Sequence, residues 1–144
     1  MKRHPSLAPL SREHHPALVL AQLLKKDAPP YKGLPAAVND KAAYAEQLFH
    51  SELEAHFRKE ENLLAKVAFH HPEIITLAKE IEQEHRQLAA AFAGIQLSAD
   101  KVNDLDDLGR KLEQHIRKEE RVLFPLLEKI CAPQLLQEIA VLLT

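Results

Sequence analysis

Six residues, His56-Phe-Arg-Lys-Glu60-Glu61, return almost unchanged as His115-Ile-Arg-Lys-Glu119-Glu120. Five of the six positions are identical, in a chain free of low-complexity sequence. Each copy sets a His and a Glu four residues apart. On an α-helix that spacing stacks the two side chains on one face, one turn apart. A chain carrying the pair twice is pressed toward two helices whose paired ligands can meet across a bundle and hold metal.

Composition supports helix throughout. Gly is scarce at three, and Ala, Leu, Glu and Lys are abundant. At 144 residues the chain can bury one core, and it reads as one domain spanning 1–144. A formal charge of −2 gives no electrostatic case for nucleic acid or an anionic membrane. The one Cys, Cys131, rules out an internal disulfide and a Cys-based zinc site, and reads as a small buried residue. Pro5, Pro9 and the charged run Ser11-Arg-Glu-His-His interrupt any signal-like apolar segment after Lys2-Arg3. No apolar run is long enough to cross a bilayer, so the reading is a cytoplasmic protein. Nine His exceed what a core requires.

Periodicity predicts four long amphipathic helices. The first runs from about Leu7 to Lys26, with Leu7, Leu10, His14, Ala17, Leu18, Ala21 and Leu24 on one face. Pro16 either follows its first turn, if Ser11 is the N-cap, or kinks it beside His14, if it starts near Ser6. Pro29, Pro30, Gly33 and Pro35 mark a connection. The second helix runs from about Lys41, capped by Asn39 or Asp40, to Phe69, with Leu48, Leu53, His56, Phe57, Glu60, Leu63, Leu64 and Val67 inward. The third runs from Glu73 to Ile95 with Ile74, Leu77, Ile81, His85, Leu88 and Phe92 inward. After an N-cap at Ser98, the fourth covers about Ala99 to Phe124, with Leu105, Leu108, Leu112, His115, Glu119 and Val122 inward. Pro125 ends or bends it. Residues 134–143 form a short helix expected on the outside. The fold class is therefore all-α: an up-down-up-down four-helix bundle over about 7–127, plus a short C-terminal helix. Leu10-Ser-Arg-Glu-His14 matches Ile81-Glu-Gln-Glu-His85, so helices one and two mirror three and four as a duplicated hairpin.

Six ionisable residues fall on inward faces: His14, His56 and Glu60 in one half, His85, His115 and Glu119 in the other. Buried ionisable groups are expensive unless paired or metal-bound. Each half supplies two His and one carboxylate, the donor set of open-sited non-haem iron. Two six-coordinate irons need twelve donors. Four imidazoles, two bridging carboxylates and an oxo or hydroxo bridge leave two positions for water, oxygen or another small ligand. Zinc prefers tetrahedral sets, and four imidazoles suit magnesium and calcium poorly. Glu61 and Glu120 lie about 140° round from their His and are expected to face solvent, as are Arg58, Lys59, Arg117 and Lys118, helped by weak ion pairs. His4, His50, His70 and His71 read as surface or loop residues.

In these elements the chain resembles the hemerythrin family, in its bacterial hemerythrin-like (HHE cation-binding) branch. The match rests on Glu13-His14, His56-x3-Glu60, Glu84-His85, and His115-x3-Glu119 followed by Val122-Leu-Phe-Pro125, over about Leu7 to Leu127. The resemblance implies a bundle around a non-haem di-iron centre that binds oxygen or a related small ligand. The oxygen carriers of that family have two His one turn apart on helix three, where this chain has Ile81 and Ala89 four residues either side of His85. They also end with His-x4-Asp, where this chain has His115-x3-Glu119. One His fewer leaves the iron more open, unless His15 or Glu52 replaces it, and favours sensing or redox chemistry over carriage. The leading expectation is a non-enzymatic protein with two iron ions that binds or senses oxygen or nitric oxide. Its alternatives are a redox enzyme acting on peroxide or nitric oxide, and a helical interaction module with a structural or vestigial metal site.

Overall fold

The computed structural model describes residues 2–144, and every regular element among them is helical. Helix α1 spans Ala8–Leu24. Helix α2, Val38–Leu48, runs through a π-helical turn at Phe49–Leu53 into α3, Glu54–His70. A 3-10 turn at Pro72–Ile74 leads into α4, Ile75–Gly94. Helix α5, Lys101–Lys118, passes a second π turn at Glu119–Leu123 and continues as α6, Phe124–Ile130. Helix α7 is Pro133–Leu142.

Two apolar clusters give the topology. One gathers Ala17 to Leu24, Ala42 to Phe57, Leu88 to Ile95, and Leu105 to Ile116. The other gathers Leu7 and Leu10, Leu63 to Val67, Ile74 to Ile81, and Leu123 to Leu127. Along α1 the chain passes from the second cluster to the first. It returns along α2–α3, crosses again along α4, and returns along α5–α6. The four runs are thus antiparallel in turn, the expected up-down-up-down bundle. The residues between the clusters on each run are the polar ones, so the ionisable groups form a layer across the middle of the core.

Several local expectations are corrected. Helix α1 begins after Leu7, which caps without a side-chain hydrogen bond, and Pro16 lies inside the helix. Neither Asn39 nor Asp40 caps α2; its N-cap is Ala37, which places Asp40 in the first turn, where its charge suits the helix dipole. Asp100, not Ser98, caps α5, accepting from the Asn103 N–H. Val122 is 51 % exposed, whereas Leu123 and Phe124 are fully buried. The π turn inserts an extra residue into the turn, so the apolar face resumes four and five residues after Glu119 rather than three. It also carries the chain into Pro125 without ending the helical run. Helix α7 packs Leu135, Leu136 and Ile139 into the second cluster and leaves Gln137, Glu138 and Val141 exposed. Cys131 is buried there, as expected, and burial pushes its thiol up.

Helix α1 meets α5 where Gly109 faces the Ala21 carbonyl. A Cβ on Gly109 would fall 2.6 Å from that oxygen and 3.1 Å from Leu24 Cβ. This close approach sets the depth at which α1 delivers His14.

Candidate metal centre

The polar layer contains all six residues singled out from the sequence, each at most 4 % exposed: His14, His56, Glu60, His85, His115 and Glu119. Their donor atoms fall into two groups that share both carboxylates. His14, His56, Glu60 and Glu119 form one, and His85, His115, Glu60 and Glu119 the other, with atoms within 4.8 Å of one another in each.

The carboxylates straddle the two groups. Glu60 Oε2 lies 3.0 Å from His56 Nε2 and 3.4 Å from His14 Nε2, while its Oε1 lies 3.0 Å from His85 Nε2. Glu119 reverses the arrangement: Oε1 lies 2.9 Å from His14 Nε2, and Oε2 lies 3.1 Å from His115 Nε2 and 3.6 Å from His85 Nε2. The imidazole pairs repeat the same pose. His14 and His56 have ring centroids 4.9 Å apart at 63°, and His85 and His115 are 4.9 Å apart at 67°. The duplicated hairpins are thus related by a pseudo-twofold axis through the layer.

The layer is poorly satisfied by itself. His56 Nε2, His85 Nε2, His115 Nε2, both Glu60 oxygens and Glu119 Oε2 are buried without a hydrogen-bond partner. Buried polar groups are nearly always paired, and six orphans aimed at two points are what a bound cation pair resolves. Nitrogen and carboxylate donors in this ratio suit a first-row transition metal. The donors present fit such a group.

The opposite nitrogen of every imidazole is held by a carboxylate from the preceding helix in cyclic order. Glu13 on α1 accepts from His56 Nδ1 at 2.7 Å, and Glu61 on α3 accepts from His85 Nδ1 at 2.7 Å. Glu84 on α4 accepts from His115 Nδ1 at 2.7 Å, and Glu120, beyond α5, accepts from His14 Nδ1 at 2.6 Å. This ring fixes each proton on Nδ1, aims Nε2 inward and raises its basicity. Lys59 braces Glu13 at 2.9 Å, and Lys118 braces Glu84 at 2.8 Å.

Glu61 and Glu120, 41% and 27% exposed, therefore do not simply face solvent as expected but turn onto imidazoles of other helices, and Lys59 and Lys118 pair with Glu13 and Glu84. Rotation about a single helix axis placed the two acids away from their own His. It said nothing of the His on the next helix. The signal lay in the repeat, which keeps Glu-Glu in both copies. His15 and Glu52 are exposed and belong to neither donor group. His50 and His70 are exposed, and Ile81, one of the two residues one turn from His85 on α4, is fully buried.

Electrostatics follow from the geometry. Burial opposes charge on His14, but Glu119, Glu120 and Glu60 overcome it and push the imidazole up to about 11. The same contest raises His85 to about 10, through Glu119 and Glu60, and His115 to about 9, mainly through Glu119. Against its own burial, Glu119 is held well below the carboxylate range by His115, His14 and His85. Without metal the layer is thus a buried imidazolium–carboxylate network.

Residues 7–127 match the family model described as the hemerythrin HHE cation binding domain. The chain belongs to this family. It is 36% identical over 115 residues, 78% of the chain, to the iron-sulfur cluster repair protein YtfE of Musicola paradisiaca, covering 43% of that protein. It is 34% identical over 94 residues to a probable iron-sulfur cluster repair protein of Haemophilus influenzae, covering 62% of the chain and 36% of that protein. The chain thus spans less than half the length of these curated relatives. No solved structure matches it. No helix among the described residues is long and apolar enough to cross a membrane.

Proposed function

We propose that the polar layer holds two non-haem iron ions and binds a small ligand such as oxygen or nitric oxide. The observation that carries this reading is the pair of four-donor groups sharing Glu60 and Glu119. His14 and His56 would serve one iron as terminal ligands, and His85 and His115 the other. Glu60 and Glu119 would bridge, one oxygen toward each half. The four protein donors of each group would leave positions the protein does not fill, where a bound metal pair would supply Lewis acidity and redox electrons. The chain's own part is to orient four Nε2 atoms through the carboxylate ring and to exclude bulk water with apolar layers above and below. Phe57 stacks on His85 at 4.0 Å, and Phe124 on His14 at 5.6 Å, sealing the rings. Two clefts approach from the sides. One, of about 670 Å³, reaches His115 past Leu88, Lys111 and Gln114, and one of about 230 Å³ reaches His56 past Pro16 and Leu48.

Metal analysis after expression in iron-replete medium tests the assignment. Wild type is expected to hold two irons per chain with a near-ultraviolet charge-transfer band. Glu60→Ala and Glu119→Ala are each expected to hold one or none, because each removes a donor from both groups. Wild type that is fully helical and iron-free would sink the reading and favour an interaction module. Spectral change on adding nitric oxide or oxygen without turnover supports binding or sensing, whereas consumption of peroxide or nitric oxide moves the protein to the redox enzymes. A second reading rests on the relatives' names: the chain would be the metal-holding part of an iron-sulfur cluster repair activity. Recovery of cluster absorbance in an oxidatively damaged iron-sulfur protein, on addition of the iron-loaded chain, tests it.

A further inference from the structure

Four carboxylates orient the four imidazoles, but they are not equally supported. Glu13 and Glu84 each have a lysine. Glu61 makes no ion pair with Lys or Arg among the described residues, and its side chain is 41% exposed. Glu120, its counterpart across the pseudo-twofold axis, is 27% exposed and sits in a closed network. The Ser11 hydroxyl donates to its Oε1 at 3.1 Å, and Arg3 Nη2 donates to the same oxygen at 3.1 Å.

Arg3 does more than pair a charge. Its Nη2 also donates to the Glu120 backbone carbonyl at 2.8 Å. In the π turn the Phe124 N–H bonds the Glu119 carbonyl. The next carbonyl, that of Glu120, would take the N–H of residue 125, and Pro125 has none. Arg3 fills that gap. Its Nη1 donates to Glu128 Oε1 at 3.0 Å, and its guanidinium lies 5.4 Å over the Phe124 ring, which stacks on His14. One side chain therefore secures the acid behind His14, the ring beside it and the backbone that carries both. Among the described residues no Lys or Arg pairs with Glu61, the acid behind His85.

We propose that Arg3 is a positioning residue that makes the two metal positions unequal, so that the His14/His56 position holds its metal more tightly and the His85/His115 position exchanges first. This rests on the two-metal reading above. Carboxylates behind a metal-bound His typically change affinity 10- to 100-fold when removed, and the two positions differ in how firmly that carboxylate is fixed.

The test is chelator challenge of the full chain loaded anaerobically with Fe(II), using ferrozine in excess. Wild type is expected to release its iron in two phases of equal amplitude. Arg3→Ala should speed the slow phase about tenfold and leave the fast phase unchanged, with Arg3→Lys in between. Glu61→Gln should speed the fast phase only. Unchanged kinetics in Arg3→Ala, a single phase in wild type, or equal acceleration of both phases with a lowered Tm would overturn the proposal. The last outcome would mark Arg3 as a general stabiliser of the fold. Wild type that takes up no iron would instead overturn the two-metal reading itself.

Discussion

At the scale of single residues the protein depends on keeping six ionisable groups dry and aimed. The ordinary imidazole value is 6.5, and in the metal-free protein His14, His85 and His115 stand at about 11, 10 and 9. A folded value above the unfolded one stabilises fully below about 6.5, and that contribution drains away as pH rises through the folded values. Metal-free protein should therefore melt at progressively lower temperature between pH 6.5 and about 11, which a thermal scan in the presence of chelator measures. Metal binding has the opposite sign. It needs neutral Nε2 atoms, so uptake should release protons and weaken as pH falls. A pH-indicator titration in weak buffer reads the released protons directly. No proton release on uptake would show that the metal sits elsewhere.

At the scale of elements, the crossing of α1 and α5 sets where His14 stands relative to Glu119. Gly109→Ala gains about 1 kcal/mol of helix propensity. It also forces a methyl to 2.6 Å from a backbone carbonyl, and overpacking of that kind costs about 1–3 kcal/mol. The net is expected to be destabilising by about 1 kcal/mol, read by urea unfolding, and the separated helices should weaken metal retention as well. A variant as stable as wild type would mean that α1 shifts without strain. The π turns belong to this scale too. The second one holds Glu119 at its start and turns Leu123 and Phe124 inward, so the Glu and its apolar support come from a single local slip of the ladder.

Across the whole molecule, metal and fold are linked. The layer divides the core into two apolar clusters, and bound metal would give its orphaned atoms partners. A ligand at a thousand times its Kd adds about 4 kcal/mol to stability. For a chain of this size that corresponds to roughly 10 °C in Tm. Iron-loaded protein should melt higher by about that much. Chelator-treated protein should keep its helical circular dichroism at 25 °C, because both clusters and the imidazolium–carboxylate network remain. Loss of helicity on chelation would mean that the clusters alone cannot hold the bundle.

The helices and the six central residues were legible in the sequence because both depend on spacing along one chain. A three- and four-residue apolar period selects the helix and its inward face, and His56-x3-Glu60 and His115-x3-Glu119 ride on that face. Antiparallel order followed from the short connections and the duplicated hairpin. Tertiary structure decided which neighbour each flanking side chain meets. Glu61 and Glu120 looked solvated because helical phase is measured against a helix's own axis, and their partners, His85 and His14, stand on other helices. Val122 looked inward because α-periodicity was carried through a turn that is π-helical. That turn leaves a carbonyl unpaired at Pro125, which Arg3 satisfies from 117 residues away. Helix α7 was apolar on inspection, and the structure decided that Leu135, Leu136 and Ile139 are the residues that join the core. The sequence by itself determined what can ligate a metal. The tertiary structure decided how each of those side chains is held, because contacts between helices carry no period along the chain.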